Sequence, residues 1–190
     1  MSNRILTMLL LACTLSACGT AMASPPGTPV PDLTVERVDG ADGGKVYQVV
    51  SSGTVAAARD VAWRVLTGYD QLADVVPDLK SARVLSRHGD KVIVEQLGAA
   101  RFLFFNRDIR LVVQVHEQPP DRIDVSLVDG DMKVYDCHWE LMALDGGGTR
   151  VRYRASIAPK FYVPGIVGTS LVRKDIARMM GAVLSRMDRQ

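Results

Sequence analysis

The sequence predicts an α+β domain, a curved antiparallel β-sheet wrapped around a long C-terminal α-helix. Three observations lead there. From Ser81 onward apolar residues return at every second position, the period of a strand with one buried face. Glycine- and proline-containing turns cut that run into segments of strand length. The C-terminal segment then changes period, and its apolar residues fall on one stripe of a helix. Such a helix needs a partner surface, and the apolar face of the sheet is the large one available.

The chain opens with a targeting segment. Arg4 precedes the apolar run Ile5 to Leu15, which is shorter than the roughly 20 apolar residues a membrane-crossing helix needs. It reads as the core of a signal peptide, so export is expected. Leu15-Ser16-Ala17-Cys18 resembles a bacterial lipobox, which implies removal of residues 1–17 and lipidation of the Cys18 thiol. Gly19 after that cysteine resembles the pattern of lipoproteins sent to the outer membrane. The alternative is ordinary cleavage after Ala21-Met22-Ala23, which would leave a soluble periplasmic protein. A multiply acylated cysteine holds a protein stably at a bilayer, because each buried methylene contributes about 0.8 kcal/mol. Residues 18–31 include Pro25, Pro26, Pro29 and Pro31, and a stretch so rich in proline favours extended geometry and serves as a tether. Residues 32–190 form the domain.

Composition and charge narrow the function. The 190 residues are 47% hydrophobic and 23% charged, near the averages for a globular chain. The formal charge of +2 becomes +1 once Arg4 is removed with the signal peptide. That leaves no basic footprint of the kind nucleic acid requires. Of the three cysteines, Cys13 leaves with the signal peptide and Cys18 carries lipid. Cys137 then has no partner for a disulfide within the domain, so stability must come from packing.

The elements follow in order. Leu33–Val38 and Lys45–Thr54 are β-rich runs joined by the loop Asp39 to Gly44. Val55–Leu66 switches to helical period, with Val61, Ala62, Trp63, Val65 and Leu66 on its apolar side and a stop near Gly68. A short helical turn follows at Gln71–Val76, ended by Pro77. Ala82, Val84 and Leu85 mark a strand that turns at Arg87 to Asp90 into Lys91–Leu97. Phe102–Glu117 reads as one strand with Leu111, Val113 and Val115 on a single face. Ile123, Val125 and Leu127 mark the next. Met132–Leu144 carries Tyr135, Cys137, Trp139 and Leu141 inward. Val151, Tyr153, Ala155 and Ile157 oppose Arg150, Arg152, Arg154 and Ser156 in the last strand. Pro164 suits the first turn of the terminal helix, whose stripe is Val172, Ile176, Met179, Met180, Val183 and Met187.

Val61-Ala62-Trp63-Arg64-Val65-Leu66-Thr67-Gly68-Tyr69-Asp70, followed by Pro77-Asp78-Leu79-Lys80-Ser81, resembles the signature of the polyketide-cyclase and coenzyme-Q-binding branch of the START (SRPBCC) superfamily. Gly130-Asp131-Met132, Trp139, Gly147-Gly148-Thr149, Tyr153 and the Pro159–Pro164 segment continue the likeness in order. It covers about Val46 to Met187 and departs at Gly68, where the family carries aspartate. The resemblance implies a helix-grip fold with an apolar cavity under the terminal helix, used for lipids, isoprenoid quinones or polyketides.

The expected function is therefore binding or carriage of a hydrophobic small molecule or lipid, with no cofactor and no metal. Candidate cavity residues are Leu111, Val113, Tyr135, Trp139, Tyr153, Met179, Met180 and Val183, all on predicted inner faces. The methionines suit a pocket of adaptable shape. Two other classes stay open, a cyclase or dehydratase on the same fold and an envelope accessory protein that binds no ligand. For catalysis a positioned acid or base would be needed in the cavity, yet His88 falls in a turn and His116 and His138 on polar faces. Asp136-Cys137-His138 is no nucleophile and base pair, since successive strand residues face opposite ways. Phe102, Leu103, Phe104 and Phe105 form the densest aromatic cluster. On one strand they would point alternately to both faces, as a doubly covered strand or as a lip touching bilayer or ligand.

Overall fold

Residues 31–190, apart from 103, 104 and 164, are described by a computed structural model. Among them run eight strands: β1 (Asp32–Asp39), β2 (Lys45–Val55), β3 (Leu79–His88), β4 (Lys91–Phe102), β5 (Phe105–Gln118), β6 (Arg122–Gly130), β7 (Met132–Ala143) and β8 (Thr149–Pro159). All pair antiparallel in one sheet of order β1-β2-β8-β7-β6-β5-β4-β3. Strands β3 to β8 are successive hairpins, and the β1–β2 hairpin closes onto β8. The passage from β2 to β3 must cross from one side of the sheet to the far edge. Helix α1 (Arg59–Thr67) and a short 3-10 helix (Tyr69–Asp74) make that crossing. Helix α2 (Gly165–Asp188) then lies against β1, β2 and α1. This is the helix-grip α+β fold expected from the sequence.

Alternation along the strands decides the two faces. Val92, Val94, Val113, Val115, Cys137, Leu141, Val151 and Tyr153 point inward and are buried. The outer face is laced with charges. Glu95 accepts from Arg83 (2.7 Å) and Arg110 (2.9 Å), and Arg110 also donates to Asp129 (2.9 Å). Helix α2 buries Ile176, Met180, Val183, Leu184 and Met187, each contributing about 1.5 to 3 kcal/mol. Two glycines let it approach β2 closely. A Cβ on Gly53 would collide with Leu184, and one on Gly168 with the Tyr47 hydroxyl.

Three expectations change. Val55 is not helical. It ends β2 in register with Thr149, and the chain bends at Ala56 and Ala57 before the helix, where its polar groups are engaged elsewhere. The Ala56 N–H donates to Asp188 (2.7 Å), and the Thr149 hydroxyl donates to the Ala57 carbonyl (2.8 Å). Helix α1 therefore begins at Arg59. The short helical turn begins at Tyr69 rather than Gln71 and is of the 3-10 type. Nor is Phe102–Glu117 one strand. Gly98 does not interrupt β4, which continues in register from Gly98↔Ile109 to Phe102↔Phe105, so Phe102 and Phe105 pair across two strands. Leu103, Phe104 and Pro164 lie outside the described residues, as do the signal segment, Cys18 and the tether up to residue 30. No helix among the described residues is long and apolar enough to cross a membrane.

Candidate functional site

The space between the sheet and α2 is not completely filled. An inner chamber of about 120 Å³ lies under Met179 and Val183 of α2. Val115 of β5, Ile123 and Val125 of β6, Tyr135, Cys137 and Trp139 of β7 and Tyr153 of β8 form its floor. Leu66, Tyr69, Leu72 and Val76, from α1 and the segment after it, close one side. A more open outer chamber of about 230 Å³ is lined by Pro77, Asp78, Gly98, Ala99, Ile109 and Leu111, together with Asp175, Ile176 and Arg178 of α2. The two share Val76, Leu79, Gln96, Tyr135 and Met179 as a common wall. The outer chamber adjoins the inner one across this wall and forms an open mouth at that end of the sheet.

Local sequence explains the walls. Strand alternation sends Tyr135, Cys137 and Trp139 inward together, and the Trp139 and Tyr153 rings meet at 4.6 Å and 47°. Tyr69 donates its hydroxyl to Glu117 (2.8 Å), while Arg87 stands over its ring and binds the same carboxylate at 3.0 and 3.1 Å. That knot ties the side wall to β3 and β5. Burial and then the Glu117 bond hold the Tyr69 hydroxyl far above its ordinary pKa, so it stays protonated. At the mouth, Arg178 bonds Asp78 (2.5 Å) and Asp175 (2.8 Å). The Asp78 side chain is only 12% exposed, and its backbone is left-handed at φ 64°, a conformation aspartate tolerates better than most residues.

Of the residues expected in the cavity, Tyr135, Trp139, Tyr153, Met179 and Val183 line the inner chamber and Leu111 lines the mouth. Val113 and Met180 face solid packing instead, both with no exposed surface. Val113 points inward beneath α1 and the end of α2, where side chains fill the space. Met180 inserts among Val35, Tyr47, Val49 and Ala155, on the flank of the helix facing β1 and β2. Periodicity gives the apolar arc of a helix but not which part of it meets a gap. It also misses Gln96, the residues before β3 and the fully buried Leu184.

The chamber holds protonated groups. The Cys137 thiol lies 3.4 Å from the Tyr153 hydroxyl and is pushed up to about 12 by burial. Burial also raises the Tyr153 hydroxyl, and the neighbouring Cys137 together with burial raises that of Tyr135. The histidines lie elsewhere. His116 bonds Asp90 (2.8 Å) and His138 bonds Asp124 (2.6 Å) on the outer face, and His88 is exposed. Among the described residues no three His, Cys, Asp or Glu side chains gather as a metal site.

The sequence matches the family model described as polyketide cyclase / dehydrase and lipid transport over residues 55–184. No curated protein matches it. Among solved structures, it is similar to a STAR-related lipid transfer protein from Xanthomonas axonopodis at 18% identity and a TM-score of 0.61, over 82% of this chain and 99% of that one. Human StAR-related lipid transfer protein 5 is similar at 14% identity and 0.64, over 87% and 85%. The Zhui aromatase/cyclase from a Streptomyces species is similar at 17% and 0.62, over 76% and 94%. At these identities the likeness shows a shared fold. With the family model spanning most of the chain, the protein belongs to the polyketide cyclase / dehydrase and lipid transport family, on a START-like fold.

Proposed function

We propose that this protein binds and carries a hydrophobic molecule in the chamber under α2, at the periplasmic face of a bacterial membrane to which Cys18 anchors it. One observation carries the reading. A space walled almost wholly by apolar and aromatic side chains lies under the terminal helix, beside a mouth at one end of the sheet. Burial of an apolar tail there contributes about 25 cal/mol per Å² without specific polar contacts. The inner chamber is smaller than the roughly 300 to 1,000 Å³ of drug-sized sites. A long ligand would thus thread through the mouth, or α2 would lift to admit it. Cyclase chemistry would ask for a group able to move a proton near neutral pH, whereas the thiol and phenols of this wall are held protonated.

The test is uptake of the apolar dye N-phenyl-1-naphthylamine, which fluoresces in dry surroundings, read beside thermal unfolding. Val183→Trp puts bulk into the chamber and should cut dye affinity by tenfold or more with little change in Tm. Met180→Trp, by contrast, overpacks solid core at a cost of about 1 to 3 kcal/mol and should lower Tm. Arg152→Ala on the outer face should change neither. If the wild-type protein takes up no dye and yields no lipid on extraction, the carrier reading is wrong.

A further inference from the structure

We propose that Gln96 is the polar contact of the ligand, so that the chamber selects neutral amphiphiles bearing a hydroxyl or carbonyl group; this rests on the carrier reading above. Inward positions of β4 run Val92, Val94 and then Gln96. The two valines are completely buried, and the same alternation turns the Gln96 amide into the space under α2. It borders both the inner chamber and the mouth. Its amide makes no hydrogen bond with any described residue.

Several other polar groups of these walls are engaged. Cys137 has Tyr153, Tyr69 has Glu117, and Arg178 has Asp78 and Asp175. Gln96 thus offers a free donor and a free acceptor at the edge of an apolar space, and a ligand that covers it without bonding it leaves the amide unmet at a cost. A ligand group able to answer it is favoured, and an analogue lacking that group is rejected because the amide would be stranded. The partner must be neutral. The charged side chains bordering the two chambers are Asp78, Asp175 and Arg178; Arg178 bonds both carboxylates, so a buried anion would meet only a cation already paired and a buried cation only carboxylates already paired. Because Gln96 stands where the chambers meet, the polar group sits partway along the ligand. An apolar end reaches inward to Trp139 and Ile123, and the remainder extends toward Arg178.

The experiment is displacement of N-phenyl-1-naphthylamine from the full chain at pH 8 by three competitors of one length: 1-dodecanol, 1-chlorododecane and dodecanoate. Wild-type protein should favour the alcohol over the chloride by about five- to tenfold, the scale of one neutral hydrogen bond, with dodecanoate weakest. Gln96→Leu should bring alcohol and chloride to equal strength, each read against the variant's own dye affinity. Gln96→Met carries the same expectation and serves if the leucine variant folds poorly. Equal competition by alcohol and chloride in wild type, or a preference that survives both substitutions, overturns the role of Gln96 and leaves the carrier reading standing. Failure of wild type to take up dye or any dodecyl compound overturns both.

Discussion

Cys137 and His138 are neighbours in sequence and strangers in space. The pleat sends the thiol into the chamber wall, where it is 2% exposed, and the imidazole to the outer face, where Asp124 meets it at 2.6 Å. Thiolate is the reactive form of cysteine, and a thiol held up at about 12 by burial is almost wholly protonated at pH 8. Cys137 should therefore resist N-ethylmaleimide in native protein and label promptly once unfolded in guanidinium. Peptide-resolved mass spectrometry separates it from Cys13 and Cys18. Stoichiometric native labelling within minutes would mean that the wall is open or the thiol activated. That alternation was readable in the sequence, since Tyr135, Cys137, Trp139 and Leu141 share one face at period two. The hydrogen bonds of the inward groups were not, because Tyr153 arrives from another strand.

At the scale of elements, the contact between α2 and β2 sets the shape of the site. Gly53 faces Leu184, which has no exposed surface, whereas Gly181 on the same helix has open space where a Cβ would go. Two glycine-to-alanine changes should then act in opposite directions. Gly53→Ala forces the helix off the strand and should lower Tm by several degrees, given overpacking costs of about 1 to 3 kcal/mol. Gly181→Ala gains helix propensity of up to about 1 kcal/mol and should raise Tm. Equal effects would mean that α2 does not sit against β2 as described. The helical stripe of α2 was legible, but the hairpin at Phe102 and Phe105 was not. A glycine and two alanines before Phe102 weaken the strand pattern that the ladder nevertheless continues through.

For the molecule as a whole, chain entry and cavity mouth lie at opposite ends of the sheet. Asp32 pairs with Ser52 at one end, while Leu79, Gly98 and Ile109 align at the other, beside the mouth. Anchoring through Cys18 is tested by fractionating cells. Cys18→Ser should shift the protein from the membrane to soluble periplasm or leave uncleaved precursor, and globomycin should block processing of the wild type. Normal processing after Ala23 in the presence of globomycin would refute the anchor.

The sequence alone determined the order of strands and helices, the buried face of most strands and the stripe of the terminal helix, because these depend on periodicity and turn chemistry along a short stretch of chain. It also carried the motifs by which the family could be recognised. Tertiary structure decided which inward residues meet a gap and which meet one another. Met179 and Met180 are adjacent on one helix, yet one lines the chamber and the other is locked in core, because the sheet curves away from the first and closes on the second. Gln96 is an ordinary polar residue in the sequence, and its significance appears only when five strands and a helix surround it with apolar side chains. Whether a side chain is packed, cavity-lining or unpartnered depends on surfaces brought together from distant parts of the chain, and periodicity within one element does not contain that information.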